Sequence, residues 1–236
     1  EAAPHEADAL NAHADRVACQ ACHIPAFARG QSTKMWWDWS KAGKKNDQGK
    51  PKVVKDDDGK PVYHGKKGEF HWERDVAPEF YWYDGTMTAV TVFDTIDPAE
   101  ETWLQKPNGS KDDPASKLYP FKVHRGNTPY DAGNNTMVVP KLLGKPGSGA
   151  YWGDWDWDAA IAKGMKTVSA DYSGEYGFTE TEMSWPLSHM VAPGSEALQC
   201  ADCHGPTGRL DFEALGYDGD PIERRMPREL ASGGAR

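Results

Sequence analysis

Two copies of the motif Cys-x-x-Cys-His contain every cysteine of the 236-residue chain. This motif is the attachment signature of c-type haem, in which two thiols form thioether bonds with the porphyrin and the following histidine binds the iron. One turn of helix with two residues between the cysteines places both sulfur atoms along one porphyrin edge. The sequence therefore predicts two covalently attached haem c groups. The predicted attachment residues are Cys19, Cys22, His23, Cys200, Cys203 and His204.

A zinc site and a thioredoxin-like redox pair are the alternatives for paired cysteines. The two pairs of a zinc site are usually about 15 to 20 residues apart, whereas 177 residues separate Cys22 from Cys200. A thioredoxin-like pair needs a strand before it and a helix after it, and residues 18–27 do not show that pattern. One accidental Cys-x-x-Cys-His match is expected at a frequency on the order of 0.002 for this composition, so haem attachment is favoured.

The sixth ligand of each iron decides whether a haem transfers electrons or binds a substrate, and the other histidines are its candidates. His5 and His13 precede the first motif and His189 precedes the second; such a histidine usually ligates a neighbouring haem. His124 is part of a polar turn that could fix an imidazole. We predict His124 as the sixth ligand of the first haem and His5 or His13 as that of the second, with His189 next. Weaker candidates are His64, His71, Met183 and Met190.

Composition and charge exclude some classes of function. Hydrophobic residues make up 38% of the chain, and it has 24 Gly, 17 Pro and 10 Trp, which indicates a loop-rich protein with an aromatic interior. No apolar run approaches the roughly 20 residues that span a bilayer, and the N-terminus does not look like a signal peptide, so any export signal is expected to have been removed. The formal net charge of −9 argues against a nucleic-acid partner.

A basic stretch stands out against this acidic background. Between Lys41 and Lys67 there are nine Lys and four Asp, a local charge of +5. Such a stretch is either a solvated loop or a docking patch for an acidic partner.

The elements that position the two motifs are expected to be mainly helical. Apolar residues spaced three or four apart predict helices at about 5–22 and 154–167. Two shorter helices, at about 179–187 and 195–204, are expected to lead into the second motif. The first and last of these would carry the haem motifs, and Pro25 would end the first helix. Asp154 is the predicted cap of the second helix.

Only a small β region is predicted. Residues 52–63 read as a hairpin with an Asp-Gly turn, and Glu79–Tyr83 and Thr88–Phe93 are strand-like. Residues 97–149 are predicted as ordered loop, because they are rich in Pro, Gly and Asn. We therefore expect a mainly α multihaem cytochrome c with much irregular loop and a small β-hairpin region. It would form one dihaem domain over residues 1–236, with a long insertion at about 30–175 between the two haem-binding helices.

Longer stretches around these residues are also distinctive. They are VACQACHIPAFARGQSTKMWWDWSKAG, YPFKVHRGNTPYD, GSGAYWGDWDWDAAIAKGM and ETEMSWPLSHMVAPGSEALQCADCHG. From about His5 to Arg209 the chain resembles the C-terminal part of the octahaem tetrathionate reductase family of multihaem c-type cytochromes. The resemblance implies a periplasmic protein with mostly bis-histidine haems in close contact and activity on sulfur or nitrogen oxyanions. It also implies haem binding at the two motifs. By the same resemblance, His124 and His189 correspond to histidine ligands of the family.

Two classes of function follow. We favour an electron-transfer dihaem cytochrome, with no catalytic residue assigned, that works with redox partner proteins such as other multihaem cytochromes. Family members attach eight haems, and the substrate haem lies in their N-terminal part. The alternative is an oxidoreductase that acts on tetrathionate, nitrite or hydroxylamine at an open haem face, where Lys34 or Arg125 would hold the anion. A homo-oligomer that aligns haems between subunits is a third hypothesis.

Overall fold

The computed structural model describes residues 3–223, and β-strands dominate it. Strands account for 30% of the structure and helices for 16%, so the expectation of a mainly α fold was wrong. In this part of the chain, no helix has both the length and the apolar character needed to cross a bilayer.

Ten strands form one mixed sheet. They are β1 (Thr33–Asp38), β2 (Val53–Lys55), β3 (Pro61–His64), β4 (Gly68–Glu73), β5 (Glu79–Tyr83), β6 (Met87–Ala89), β7 (Thr102–Pro107), β8 (Lys117–Asp131), β9 (Thr136–Met137) and β10 (Tyr176–Pro186). Their order is β2-β3-β4-β1-β8-β10-β7-β6, and β5 and β9 also pair with β8. The predicted hairpin is confirmed by β2 and β3, and the predicted strand at 79–83 by β5.

Strand β8 is the axis of the sheet, and it lies in the segment predicted as loop. Its prolines explain the error, because proline is normally excluded from central strands. Pro120 pairs only with Phe80 of β5, and Pro129 only with Phe178 of β10, so each proline has a partner strand on one side. Gly126 allows β1 to approach, since a Cβ there would lie 2.6 Å from the Trp37 carbonyl oxygen.

The five α-helices within residues 3–223 are short. They are α1 (Asp8–His13), α2 (Cys19–His23), α3 (Tyr151–Asp154), α4 (Trp157–Thr167) and α5 (Cys200–Cys203). The predicted helix at 154–167 is confirmed by α4, although its cap is Asp156, whose carboxylate accepts a hydrogen bond of 3.1 Å from the Ala159 N–H. The helix predicted at 5–22 is interrupted, because Val17 forms a β-bridge with Leu118.

The helix predicted at 179–187 was wrong, because this segment is β10. The residues Thr-Glu-Thr-Glu alternate with a period of two, which fits a strand better than a helix. Cross-strand polar contacts hold β10 against β8: the Thr128 and Thr181 hydroxyls are 2.8 Å apart, and Arg125 donates to Glu182. The helix predicted at 195–204 is reduced to a 3-10 turn (Gly194–Glu196) followed by α5.

Separate apolar clusters hold these elements together. Trp157 and Ile161 of α4 pack against Phe178 of β10 and against Trp39, which begins the 3-10 turn (Trp39–Lys41) directly after β1. Ile24, Phe27 and Leu187 form a second cluster directly after the first motif. A third, of Trp82, Leu118 and Leu215, anchors the segment that follows the second motif.

Gly164→Ala should destabilise the protein, although alanine is usually better than glycine in a helix by roughly 1 kcal/mol. A Cβ at this position would lie 1.7 Å from the Val139 carbonyl oxygen, so α4 would have to move away from the chain beneath it. We expect a loss of about 1–3 kcal/mol in the free energy of unfolding, measured by urea titration with circular dichroism. Gly30→Ala is the control, because nothing lies within 4 Å of its added Cβ. A Gly164→Ala protein as stable as the control would contradict this packing.

Candidate haem-binding sites

The first motif is fixed to the central strand of the sheet. It forms α2, and the Ala18 N–H just before it donates to the Leu118 carbonyl at 3.0 Å, while Leu118 donates to the Arg16 carbonyl at 2.8 Å. Ile24, directly after the motif, is fully buried. The helix ends there because Pro25 cannot continue it. Both cysteines and His23 are therefore presented by one turn of helix beside the N-terminal part of β8.

The second motif is brought to the first one by the backbone. The Leu198 N–H donates to the Cys22 carbonyl at 3.0 Å, and the Arg209 guanidinium donates to the Pro25 carbonyl at 3.0 Å. Gln199 and Asp202 cap the single turn of α5 reciprocally. Motifs that are 177 residues apart in sequence are thus neighbours in space.

The four cysteines are free thiols, and no disulfide joins them. Burial is the main cause that raises the pKa of Cys22, and it raises the pKa of Cys203 to about 11, with a further contribution from Cys22. In residues 3–223 there is no group of three or more His, Cys, Asp or Glu that could hold a metal ion.

Two pairs of imidazole rings face each other at nearly the same separation. The ring centres of His5 and His23 are 6.3 Å apart, and those of His13 and His204 are 6.2 Å apart. A metal–imidazole bond of about 2.0 Å, with the ring centre roughly 1.1 Å behind the nitrogen, gives about 6.2 Å between the centres of two rings on opposite sides of one metal. These distances fit an iron between each pair.

The hydrogen bonds of these rings leave the second nitrogen available. Nδ1 of His23 is 3.2 Å from the Ala192 carbonyl oxygen, and Nδ1 of His13 is 2.7 Å from that of Ala9. Because a carbonyl oxygen only accepts, the proton must lie on Nδ1, and Nε2 keeps its lone pair for a metal. His5 is positioned by its backbone, which exchanges two hydrogen bonds with the Asn11 side chain.

At the second motif, the Nδ1 atom of the histidine bonds to a carboxylate, whereas that of His23 bonds to a backbone carbonyl. Nδ1 of His204 donates to Asp220 at 2.6 Å, and the same carboxylate accepts from the Gly205 and Ile222 N–H groups. Burial raises the pKa of Asp220, but these hydrogen bonds outweigh it, so the net shift is downward and the group is an anion. Phe212 stacks on the His204 ring at 5.1 Å.

The other predicted ligands lie elsewhere. His124 is on β8 and its Nδ1 is 3.3 Å from the Lys34 carbonyl oxygen, whereas His189 is exposed in a bend. Nδ1 of His64 accepts from the Lys66 N–H, which leaves the proton on Nε2, and His71 is exposed on β4, 3.7 Å from Glu73.

His124 lines a groove of about 450 Å³ on one face of the sheet, which we call the sheet groove. Its walls come from β1 and the turn directly after it, and from β7, β8 and β10. The lining residues are Lys34, Trp37, Trp39, Leu104, Lys122, His124, Gly126, Thr128, Thr181, Met183 and Trp185. Burial, followed by repulsion from Lys67 and Lys122, lowers the pKa of Lys34 to about 8, and burial also lowers the pKa of Lys122 and of His124.

Sequence reasoning missed the residues that support the rings. Asn11, Ala192, Phe212 and Asp220 do not belong to a recognisable motif. Asp220 lies 16 positions after His204, in a segment with no periodic pattern. Only the three-dimensional path of the chain brings these residues to the histidines.

Paired imidazoles beside paired free thiols define a covalent haem protein. A sequence model of the family described as "Cytochrome c bacterial" matches residues 34–207, and the chain belongs to this bacterial cytochrome c family. The family implies covalently bound haem c. No curated protein matches the chain.

A solved structure extends this result. The crystal structure of octaheme cytochrome c from Shewanella oneidensis is similar, with 43% sequence identity and a TM-score of 0.87 over 96% of this chain and 52% of that one. The chain spans about half the length of that relative. The prediction of a multihaem c-type cytochrome is confirmed, while the narrower resemblance to tetrathionate reductases stays a prediction.

Proposed function

We propose that this chain is a dihaem electron-transfer protein in which two histidines hold each iron. His23 and His5 would bind the first iron, and His204 and His13 the second. The opposed imidazoles, 6.3 and 6.2 Å apart, carry this proposal. It assigns His5 to the first haem, in the place that the sequence-based prediction gave to His124.

Two axial histidines favour electron transfer over substrate chemistry. An iron with both axial positions filled by protein has no open face for a substrate. The backbone bond between Leu198 and Cys22 keeps the two motifs adjacent, so an electron could pass from one haem to the other. The bound haem supplies the redox chemistry, and the chain orients it and controls the surroundings of the iron.

The location and partners form part of the same proposal. Membership of the bacterial cytochrome c family supports a protein exported to the periplasm. Because an octahaem relative is about twice as long, we propose exchange of electrons with further haems, either on a longer polypeptide or on a separate multihaem partner.

The first test is the state of the two haems. Intact mass should exceed that of the polypeptide by two haem groups, and the oxidised spectrum should show only six-coordinate low-spin iron. His5→Ala should leave both haems attached but convert one of them to a high-spin form, since it removes one axial ligand. His71→Ala is the control, because this side chain is 68% exposed. A fully low-spin His5→Ala protein would rule out the assignment of His5.

The ring orientations predict two different signals in electron paramagnetic resonance. The His5 and His23 planes are 18° apart, whereas those of His13 and His204 are 75° apart. Near-parallel imidazoles give a rhombic low-spin signal with three resolved g values, and near-perpendicular ones a strongly anisotropic signal with one large g value. We therefore expect one signal of each type from the oxidised protein. Two rhombic signals of equal shape would contradict the proposed pairing.

Asp220→Asn should raise the reduction potential of the second haem. The Asp220 carboxylate, 2.6 Å from His204, gives the ligand more anionic character and thereby stabilises ferric iron. Loss of about 1.4 kcal/mol of this stabilisation would raise a one-electron potential by about 59 mV. A spectroelectrochemical titration should show one of the two potentials shifted upward. Asp112→Asn is the control, since it removes the same charge at an exposed position, and equal shifts in both variants would count against a direct effect.

A further inference from the structure

The positive charge of the basic stretch is concentrated at one end of the hairpin formed by β2 and β3. Three of its four aspartates, at 56–58, lie at the tip between the two strands, where the Asp58 carboxylate is 3.8 Å from the Arg74 guanidinium. At the opposite end, which we call the hairpin base, five lysines share the surface with one aspartate of the stretch, Asp47. These lysines are Lys44, Lys45, Lys50, Lys52 and Lys66.

Backbone hydrogen bonds hold the segments of the hairpin base side by side. The Lys52 N–H donates to the Lys44 carbonyl at 3.1 Å, and the Gly65 N–H donates to the Lys52 carbonyl at 2.7 Å. Glycine is needed at this crossing, because a Cβ on Gly65 would lie 2.1 Å from the Lys44 carbonyl oxygen. Like charges on neighbouring extended segments repel each other. The fold therefore keeps these lysines together against their own repulsion.

Aromatic rings orient two of these lysines without neutralising them. The Lys44 ammonium is 5.4 Å from the Tyr63 ring centre, and the Lys45 ammonium is 4.8 Å from the Trp155 ring centre. Such a contact attracts the cation but leaves its charge in place. None of the ion pairs found within residues 3–223 includes a lysine of the hairpin base. The charge of this surface is therefore available to a partner.

Protection of an exposed sheet edge does not account for all of this charge. Strand β2 lies at the edge of the sheet, and lysines at an edge discourage pairing with another chain. This role explains Lys52, directly before β2, and Lys55, at its end. Lys44, Lys45 and Lys66 lie outside the strand, so their position calls for another explanation.

We propose that the hairpin base is a docking surface for a protein that presents a cluster of carboxylates. Complementary charge steers such a partner and fixes its orientation. The rest of the chain is strongly acidic, since the formal net charge is −9 in spite of the local charge of +5. An acidic partner would therefore be repelled by the rest of the chain and attracted at the hairpin base. The role of this partner in electron transfer rests on the proposed function, whereas its binding does not.

The residue types favour a protein over a phosphate group or a membrane. The basic stretch has nine Lys and no Arg, and arginine is the residue that binds phosphate through two parallel hydrogen bonds. A membrane surface would also need an apolar anchor, and the large apolar side chains exposed within residues 41–67 are two valines, Val53 and Val54. Strongly hydrated lysines suit a small and short-lived contact, which is typical of encounters between redox proteins.

The test uses the complete chain with its haems attached, and the probe is flavodoxin, a small acidic redox protein. Isotope-labelled flavodoxin is titrated with the chain and followed by nuclear magnetic resonance. We expect binding at an ionic strength of about 0.01 M, where the Debye length is about 30 Å. The dissociation constant should rise at least about tenfold at about 0.15 M, where the Debye length is about 8 Å.

Charge variants locate the surface. The triple variant Lys44→Glu, Lys45→Glu and Lys52→Glu should abolish binding, and the corresponding change of all three to Gln should weaken it roughly tenfold. The control reverses three exposed lysines elsewhere, two on α4 and one on β7, and should retain binding. It consists of Lys106→Glu, Lys163→Glu and Lys166→Glu. If the first variant does not fold, as seen by circular dichroism, the Gln variant decides the outcome.

Three results would overturn the proposal. The first is no binding of flavodoxin at low ionic strength, including the case in which phosphatidylglycerol vesicles bind in its place and the surface belongs to a membrane. The second is binding that strengthens with salt, which would mean that repulsion between two acidic proteins dominates. The third is an equal loss of binding in the variant and in the control. Failure of the dihaem proposal is seen separately, in the spectrum of the chain without flavodoxin.

Discussion

The separation of two opposed imidazoles is the constraint on which this structure depends. Two imidazole rings about 6 Å apart gain almost nothing from each other, because dispersion and hydrogen-bond contacts act at shorter range. Other contacts must therefore hold each ring. The His23 ring is held by the Ala192 carbonyl and the His204 ring by Asp220, whereas the backbone of His5 is held by the Asn11 side chain. Each supporting residue comes from a segment that the motif itself does not specify.

The long strand β8 connects the first haem motif to the sheet groove. Its N-terminal part bonds to the segment before the first motif, and its C-terminal part carries the groove residues. The register against β10 is fixed by Arg125, which bonds to Glu182 and to Glu79. Burial raises the pKa of Glu182, and Arg125 opposes this shift. A slip of one residue would turn His124 to the opposite face, so this ion pair specifies the groove as well as the strand pairing.

Chemistry was easier to predict from the sequence than architecture. Each haem motif is local in sequence, and the spacing of its two cysteines matches the porphyrin edge to which they bind. The hairpin of β2 and β3 and helix α4 were also predicted, since each has a turn or cap signal within its own residues. In contrast, β8 contains Pro120, Gly126 and Pro129, which local rules assign to loops. Each of them is accommodated by a particular neighbouring strand, and local sequence cannot show where such a neighbour lies.

The positions of the candidate ligands could not be predicted from sequence for a related reason. A histidine near a motif was expected to point away from the next haem, yet His5 lies against His23 of the nearest motif. The chain between them makes a β-bridge at Val17 in place of continuous helix, and this reversal returns His5 to the motif. A continuous helix would have put His5 about 27 Å along its axis from His23, at 1.5 Å per residue.

The two proposed sites differ in a way that bears on the direction of electron flow. Nδ1 of His204 faces a carboxylate, whereas Nδ1 of His23 faces a neutral carbonyl. By itself this difference would make a haem at the second site the stronger reductant, because negative charge on the ligand stabilises ferric iron. An electron would then pass from the second site to the first. Leu187, which packs against Ile24 and Phe27 directly after the first motif, is two residues from Trp185 of the sheet groove. The fold therefore places a carboxylate beside the second motif and the groove near the first.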